Sequence, residues 1–348
     1  MGAAELNVVT GAFSYTGKYV TEKLLSIGER VRTLTAHPNR QNMFSNRVDA
    51  FPFNFDNPAE LIKTLQGATT LYNTYWVRFP YGQVNYDIAV ENTKILVNAA
   101  KEAGIHRIVH ISITNASEGS PFPYFRGKGI LEKSIIHSNL SYAIIRPTVI
   151  FGHEGILINN IAWFLRHLPV FAIMGSGDYK LQPVFVEDVA EIAVNAGQSN
   201  DNMILDAVGP EIFKYEELIR LIADRVQRKA KIVTVHPHLN LPHRGGGIQG
   251  ADEYSPPLVG GVRGGGRLLP RIIHLRPGLA LFLSKFIGYM VKDVVLTRDE
   301  VEGLMANLLV SENPPTGKTR LSEWLTLNAS IIGTSYASEL TRHYRCNK

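Results

Sequence analysis

The stretch Leu6-Asn7-Val8-Val9-Thr10-Gly11-Ala12-Phe13-Ser14-Tyr15-Thr16-Gly17 decides the fold. Residues 5–10 read as a short apolar strand, the glycine at 11 turns the chain, and an amphipathic run over 16–27 reads as a helix. A strand that empties through glycines into a helix brings backbone N–H groups against a pyrophosphate held at the helix N-terminus. In this reading Gly11 makes the turn, Ala12, Phe13, Ser14, Tyr15 and Thr16 carry the backbone around the phosphates, and Gly17 lets helix and strand pack closely. Ser14 replaces the usual middle glycine, so the motif draws its weight from its place at the first strand-helix junction.

Outward from this turn, short apolar runs alternate with longer amphipathic ones. Strands are expected at 31–35, 48–53, 70–73, 107–112, 141–146 and 203–207, and helices at 58–65, 84–103 and 124–137. Gly28, Gly67 and Gly104 stand where helices should end. The pattern predicts an α/β protein with a doubly wound parallel sheet, the Rossmann fold. Residues 1–152 form the expected dinucleotide-binding core. Residues 153–348 form a mixed region that completes the sheet at about 203–208 and builds a smaller, mostly helical lobe, with helices at 156–168, 215–228, 279–291 and 298–309. One segment breaks the pattern: nine of the 30 glycines fall between Gly245 and Gly266. The stretch 239–274 is therefore expected to be a flexible, dispensable surface insertion, with a strand at 231–235 running on into the helix at 279.

Composition narrows the function. A chain of 348 residues, 45% hydrophobic, can bury a core without a staple. Its single cysteine, Cys346, excludes a disulfide framework and a Cys-rich metal centre. His236, His238 and His243 are neighbours but lack a carboxylate at ligand spacing, so no metal is expected. The net charge of +5 is spread along the chain, and the basic run 225–231 falls where a helix should end, which argues against nucleic acid as a partner. The start of the chain lacks the layout of a signal peptide, and the longest apolar stretch, 279–291, is interrupted by Lys285 and falls short of the roughly 20 residues of a membrane span. A cytoplasmic protein is expected, with peripheral membrane contact left open.

Cofactor choice is read at the end of the second strand, where an acid about 20 residues beyond the glycines would hold a ribose 2′-hydroxyl. Residues 31–40 contain no acid and offer Thr35, His37 and Arg40, which suit a 2′-phosphate. NADP is preferred and NAD remains possible.

Tyr124 and Lys128 stand one helical turn apart, where an ammonium could draw a phenol's pKa down from about 10 and make it an acid/base. Tyr19 with Lys23 and Tyr344 with Lys348 have the same spacing. Only Tyr124 follows a strand, His110-Ile111-Ser112-Ile113-Thr114, that brings hydroxyls to the C-terminal edge of the sheet, where ligands of such folds bind. Trp76, Arg78 and Tyr81, just past the fourth strand, could wall a substrate site.

Together, the turn 10–17, the Ser112/Thr114 strand end, Tyr124-Phe125-Arg126-Gly127-Lys128, the strand 146–152 and Val186-Glu187-Asp188-Val189-Ala190 resemble the short-chain dehydrogenase/reductase superfamily. Within it the chain is similar to the extended and atypical branch: NAD-dependent epimerase/dehydratase proteins, NmrA-like proteins and a nucleotide-binding accessory subunit of respiratory complex I. The resemblance implies Tyr124 as acid/base, Lys128 on the nicotinamide ribose, and Thr114 or Ser112 orienting the substrate oxygen. It also implies Asp56, after Phe55, at the adenine, Asn73 and Thr74 along the cofactor, and Pro147 and Thr148 near the carboxamide. Where the branch usually carries small residues after the fourth strand, this chain has Tyr75 and Trp76.

The implied function is an NAD(P)-dependent oxidoreductase or epimerase that moves hydride between nicotinamide and a carbonyl or alcohol carbon of a small-molecule substrate. A catalytically silent NAD(P)-binding scaffold or redox sensor is the alternative, favoured by Tyr75, Trp76 and the apolar helix near 279. A reductase of a quinone-like substrate at a membrane surface is a third.

Overall fold

The computed structural model describes residues 4–226, 271–295 and 297–343. From the N-terminus, β1 (Leu6–Thr10), α1 (Tyr15–Ser26), β2 (Arg30–Leu34), β3 (Val48–Phe51), α2 (Pro58–Leu65), β4 (Thr70–Asn73), α3 (Tyr86–Glu102), β5 (Arg107–Ile111), α4 (Pro123–Ile136) and β6 (Ser141–Pro147) follow one another. Next come β7 (Ile150–Phe151), α5 (Ile156–His167), β8 (Val170–Met174), β9 (Lys180–Leu181), β10 (Val184–Phe185), α6 (Val186–Gly197), β11 (Met203–Ala207), β12 (Phe213–Lys214) and α7 (Tyr215–Arg225). The C-terminal part holds β13 (Arg271–Leu275), α8 (Pro277–Val291), α9 (Arg298–Met305), α10 (Leu321–Asn328) and α11 (Glu339–His343).

Seven strands form one sheet in the order β11-β6-β5-β4-β1-β2-β3, every neighbouring pair parallel. This is the Rossmann sheet that the alternation predicts. Because successive side chains of a strand point to opposite faces, Val8 and Val9 can both be fully buried yet serve different cores. Val9 packs with Val20 and Leu24 of α1 and Val189 and Ala193 of α6. Val8 joins Leu61 and Leu65 of α2 and Leu96 and Ala100 of α3 on the other face. The strand order reverses between β1 and β4, which opens a crevice at their C-terminal ends.

Element ends are set by local chemistry. Helix α3 begins at Tyr86 because Asn85 caps it, its side chain accepting the Ile88 N–H at 2.9 Å. Asn57 caps α2 in the same way, with Pro58 in the first turn.

The lobe beyond β6 has its own core, in which Phe151, Leu165, Ile173, Leu218, Ile222, Trp324 and Leu325 are buried together. One expectation needs correcting here. The stretch 239–274 does not run unstructured to His274, because Arg271–Leu275 forms β13 and pairs in parallel with β8 along its whole length. Ile272, fully buried in the lobe core, is the reason: the run Arg271-Ile272-Ile273-His274-Leu275 is a strand whose signal was masked by its glycine-rich neighbours. The expected strand at 231–235 and the glycines at 245–266 lie outside the described residues, as do His236, His238 and His243.

Candidate functional site

At the crevice, Gly11 adopts φ +67°, a left-handed conformation that side chains disfavour. Gly17 packs so tightly that an added Cβ would lie 2.2 Å from the Gly11 carbonyl oxygen. Ser14, in the place of the middle glycine, tightens the turn: its N–H donates to Gly11 O at 2.8 Å and its hydroxyl to the same oxygen at 2.6 Å. That hydroxyl therefore does not cap α1, whose first turn holds no acid, in contrast to the asparagine-capped α2 and α3. An uncapped N-terminus behind a glycine turn fits a pyrophosphate. The turn residues Ser14, Tyr15 and Thr16 line a cavity of about 410 Å³ together with Thr74, Tyr124 and Thr148. Ala12 is fully buried and its N–H donates to the Thr33 hydroxyl oxygen at 3.0 Å, and Phe13 stacks on Phe44 at 6.4 Å.

Beside the turn, the Thr10 hydroxyl donates to Asn73 Oδ1 at 3.1 Å and accepts the N–H groups of Thr74 (2.7 Å) and Tyr75 (2.9 Å). Asn73 is thus fully buried and stitches β1 to β4, leaving Thr74 as the cavity-facing member of that pair. After β2, Thr35 Oγ1 accepts the His37 N–H at 3.2 Å, and Arg40 is exposed. Phe55 forms an aromatic cluster with Phe53 and Tyr75, with centroids 4.9–5.2 Å apart, and Asp56 next to it is exposed.

The acid/base pair is arranged differently from the expectation. Tyr124 lines the cavity, and its ring sits among Trp76, Tyr86 and Phe125, at centroid distances of 5.7–5.8 Å. Burial, then the Glu300 carboxylate, pushes its phenol well above the usual range, where a lowered value was expected. No hydrogen bond joins it to Lys128. The Lys128 ammonium turns inward, donating to Ile111 O at 2.7 Å, with the Trp76 ring 4.6 Å away. Burial draws its pKa down to about 7. Gly127 makes room for this packing, since a Cβ there would lie 2.8 Å from Trp76 Cη2.

Nor do the strand-end hydroxyls face the cavity. Thr114 Oγ1 donates to Arg146 O at 2.9 Å, and Ser112 donates to Glu132, which in turn holds Arg146. Ile113, between them, lines the cavity. The reason is strand alternation: a residue and its second neighbour share a face, and here that face is the interior. Thr148 lines the cavity beside the buried Pro147, and its hydroxyl bonds Gln182 O. Of the proposed substrate wall, Arg78 lines the cavity and Trp76 covers Lys128, whereas Tyr81 is exposed. The decoy Tyr19 bonds Glu154 at 2.6 Å, and Tyr344 lies outside the described residues.

Several residues at the site were not legible in the sequence. Glu300, Glu339 and Arg342 reach it from α9 and α11, more than 200 residues along the chain from the glycine turn. Buried His110 accepts from the Asn73 amide through Nδ1 at 3.0 Å, and its Nε2 has no partner among the described residues. Burial, then Lys128, holds it well below the usual histidine range, so it is neutral.

Residues 11–156 match the NAD(P)H-binding family model. Over 239 residues the chain is 26% identical to the mitochondrial NADH dehydrogenase (ubiquinone) 1 alpha subcomplex subunit 9 of Arabidopsis thaliana, covering 65% of this chain and 59% of that one. It is 34% identical over 125 residues to protein FMP52-1, mitochondrial, of Scheffersomyces stipitis, covering 34% of this chain and 52% of that one. The chain thus matches less than two thirds of the length of these relatives. Among solved structures, a nucleoside-diphosphate-sugar epimerase from Staphylococcus aureus superposes with a TM-score of 0.65 at 13% identity, over 92% of this chain and 99% of that one, a likeness of fold. The mitochondrial relatives overturn the cytoplasmic expectation, which rested on cysteine usage and on the first residues, neither of which excludes a mitochondrial protein.

Proposed function

Because the chain is of the extended, epimerase-like branch of the short-chain dehydrogenase/reductase superfamily, we propose that it is a mitochondrial NAD(P)-binding scaffold that keeps a nucleotide bound and docks on partner proteins of the respiratory NADH dehydrogenase. The observation that carries this reading is Trp76 lying over the Lys128 ammonium, which points inward to a backbone carbonyl while the Tyr124 phenol is raised in pKa. An acid/base needs a pKa near the working pH, and a phenol held this high keeps its proton. When bound, the nicotinamide group would supply a hydride. The residues of this chain would bind and orient the dinucleotide: the glycine turn and the N-terminus of α1 the pyrophosphate, Thr74 and Thr148 the inner end, and Thr35, His37 and Arg40 the adenosine side. NADPH is the form this reading prefers, since residues 31–40, through the end of β2 and past it, hold no acid.

The rival reading, a reductase or epimerase of a small carbonyl or alcohol compound, is supported by one feature: Tyr124 and Thr148 face a cavity within the size range of small-molecule sites. Two measurements separate them. On the scaffold reading, calorimetry finds NADPH bound, native electrophoresis of mitochondrial extracts finds the tagged chain with the respiratory dehydrogenase, and Tyr124→Phe alters neither. NADPH oxidation with a carbonyl panel that falls by about 10² to 10⁴ in Tyr124→Phe would overturn it in favour of the enzyme.

A further inference from the structure

The cavity is lined by the glycine turn and by residues of α9 and α11, where Arg78 and Arg342 stand with the carboxylates of Asp299, Glu300 and Glu339. Arg78, from the loop after β4, is paired with Glu300 of α9 and Glu339 of α11. Glu154 is taken by Lys18 and by the Tyr19 hydroxyl. Arg342 of α11 lines the same cavity as Ser14, Tyr15 and Thr16 and lies over the Tyr15 ring, its guanidinium carbon 5.8 Å from the centroid, within the field of the Glu339 and Glu154 carboxylates. Among the described residues its guanidinium makes no hydrogen bond and no ion pair. A partly buried guanidinium without a hydrogen-bond acceptor is costly, and here desolvation pulls its pKa downward against the opposing pull of Glu339 and Glu154. The first turn of α1, whose Tyr15 it covers, lines the same cavity and has no side-chain cap and no acid. A cation and an uncapped helix N-terminus facing one space suit an anion with several oxygens.

We propose that Arg342 is the second jaw of the phosphate site: it binds the pyrophosphate of the dinucleotide from the C-terminal side, so that nucleotide occupancy and the docking of α11 on the Rossmann core are linked. The proposal rests on the nucleotide-binding part of the reading above and is independent of whether the protein turns over a substrate. Linkage is reciprocal, so whatever strengthens binding through Arg342 also holds α11 down. The same chemistry could serve a phosphate carried by a second ligand in the cavity, and the arms of the test tell these sources apart.

The test uses the full-length protein, with NADPH and ADP-ribose titrated by calorimetry and amide exchange followed at residues 339–343. Arg342→Ala is expected to weaken both ligands alike, by about 10- to 100-fold as for a lost charge-assisted bond, with partial recovery in Arg342→Lys. Adenosine, which lacks the pyrophosphate, should be unaffected. In the parent protein NADPH should slow exchange at 339–343, and in Arg342→Ala this protection should disappear while the unliganded melting temperature stays within a few degrees. Unchanged affinity for both ligands in Arg342→Ala would overturn the proposal and assign the residue to a second ligand or to packing. A parent protein that binds neither ligand would instead overturn the cofactor reading itself.

Discussion

Lys128 shows how one residue type at one spacing can mean two things. Its place four residues after Tyr124 is that of an acid/base partner, but the chain buries the ammonium beneath Trp76 and gives it a carbonyl acceptor. The consequence for stability can be worked out. In the unfolded chain the ammonium keeps its proton to about pH 10, whereas burial brings the folded group to about 7. Below pH 7 both states are protonated and the desolvation cost is present in full. Between about pH 7 and 10 the unfolded chain binds more protons, so the folded state gains stability as pH rises, by at most about 1.4 kcal/mol per unit. Lys128→Met lacks this titration. Its stability advantage over the parent should therefore be largest below pH 7 and shrink towards pH 10, as read by urea denaturation at about pH 6, 8 and 9.5. A difference that does not change with pH would mean that the folded ammonium titrates normally.

At the scale of elements, the sheet strands announce themselves because parallel strands buried on both faces are continuous apolar runs. The expected 70–73 and 203–207 coincide with β4 and β11, and 107–112 overshoots β5 by one residue. Strand β13 was hidden by its context, and its weight can be measured. Ile272 is fully buried in the lobe core, so Ile272→Ala should cost about 2–5 kcal/mol, as large-to-small core changes do, in chemical denaturation. A loss below about 0.5 kcal/mol for Ile272→Ala would show that the lobe core does not depend on β13.

At the scale of the whole molecule, the C-terminal helices close over the Rossmann crevice through a charge cluster. Arg78 leaves β4 to meet Glu300 and Glu339, residues 222 and 261 positions further on. Because the guanidinium is partly buried and Glu339 beside it is buried, replacing it leaves a buried carboxylate and, at the cavity, that of Glu300 without this partner. Arg78→Met should cost about 3–5 kcal/mol, the range for breaking a buried ion pair, and adding Glu300→Gln and Glu339→Gln should recover a part of it. Equal stability of the parent and Arg78→Met in urea would show that the C-terminal helices are held by apolar packing alone.

Alternation of apolar runs determined the α/β class, and the residues 6–17 alone determined the tight turn between β1 and α1, because backbone geometry at Gly11 and Gly17 is a local property. The spacing of Tyr124 and Lys128 was equally visible, but not their environment. Whether a phenol is raised or lowered depends on what surrounds it, and Trp76, Tyr86 and Glu300 arrive from other elements. Strand alternation about Ile113 turned Ser112 and Thr114 inward, which required knowing which face the sheet would bury. The closing charges, Glu300, Glu339 and Arg342, could be brought to the crevice only by the fold, since nothing in an isolated helix says which distant strand end it will cover.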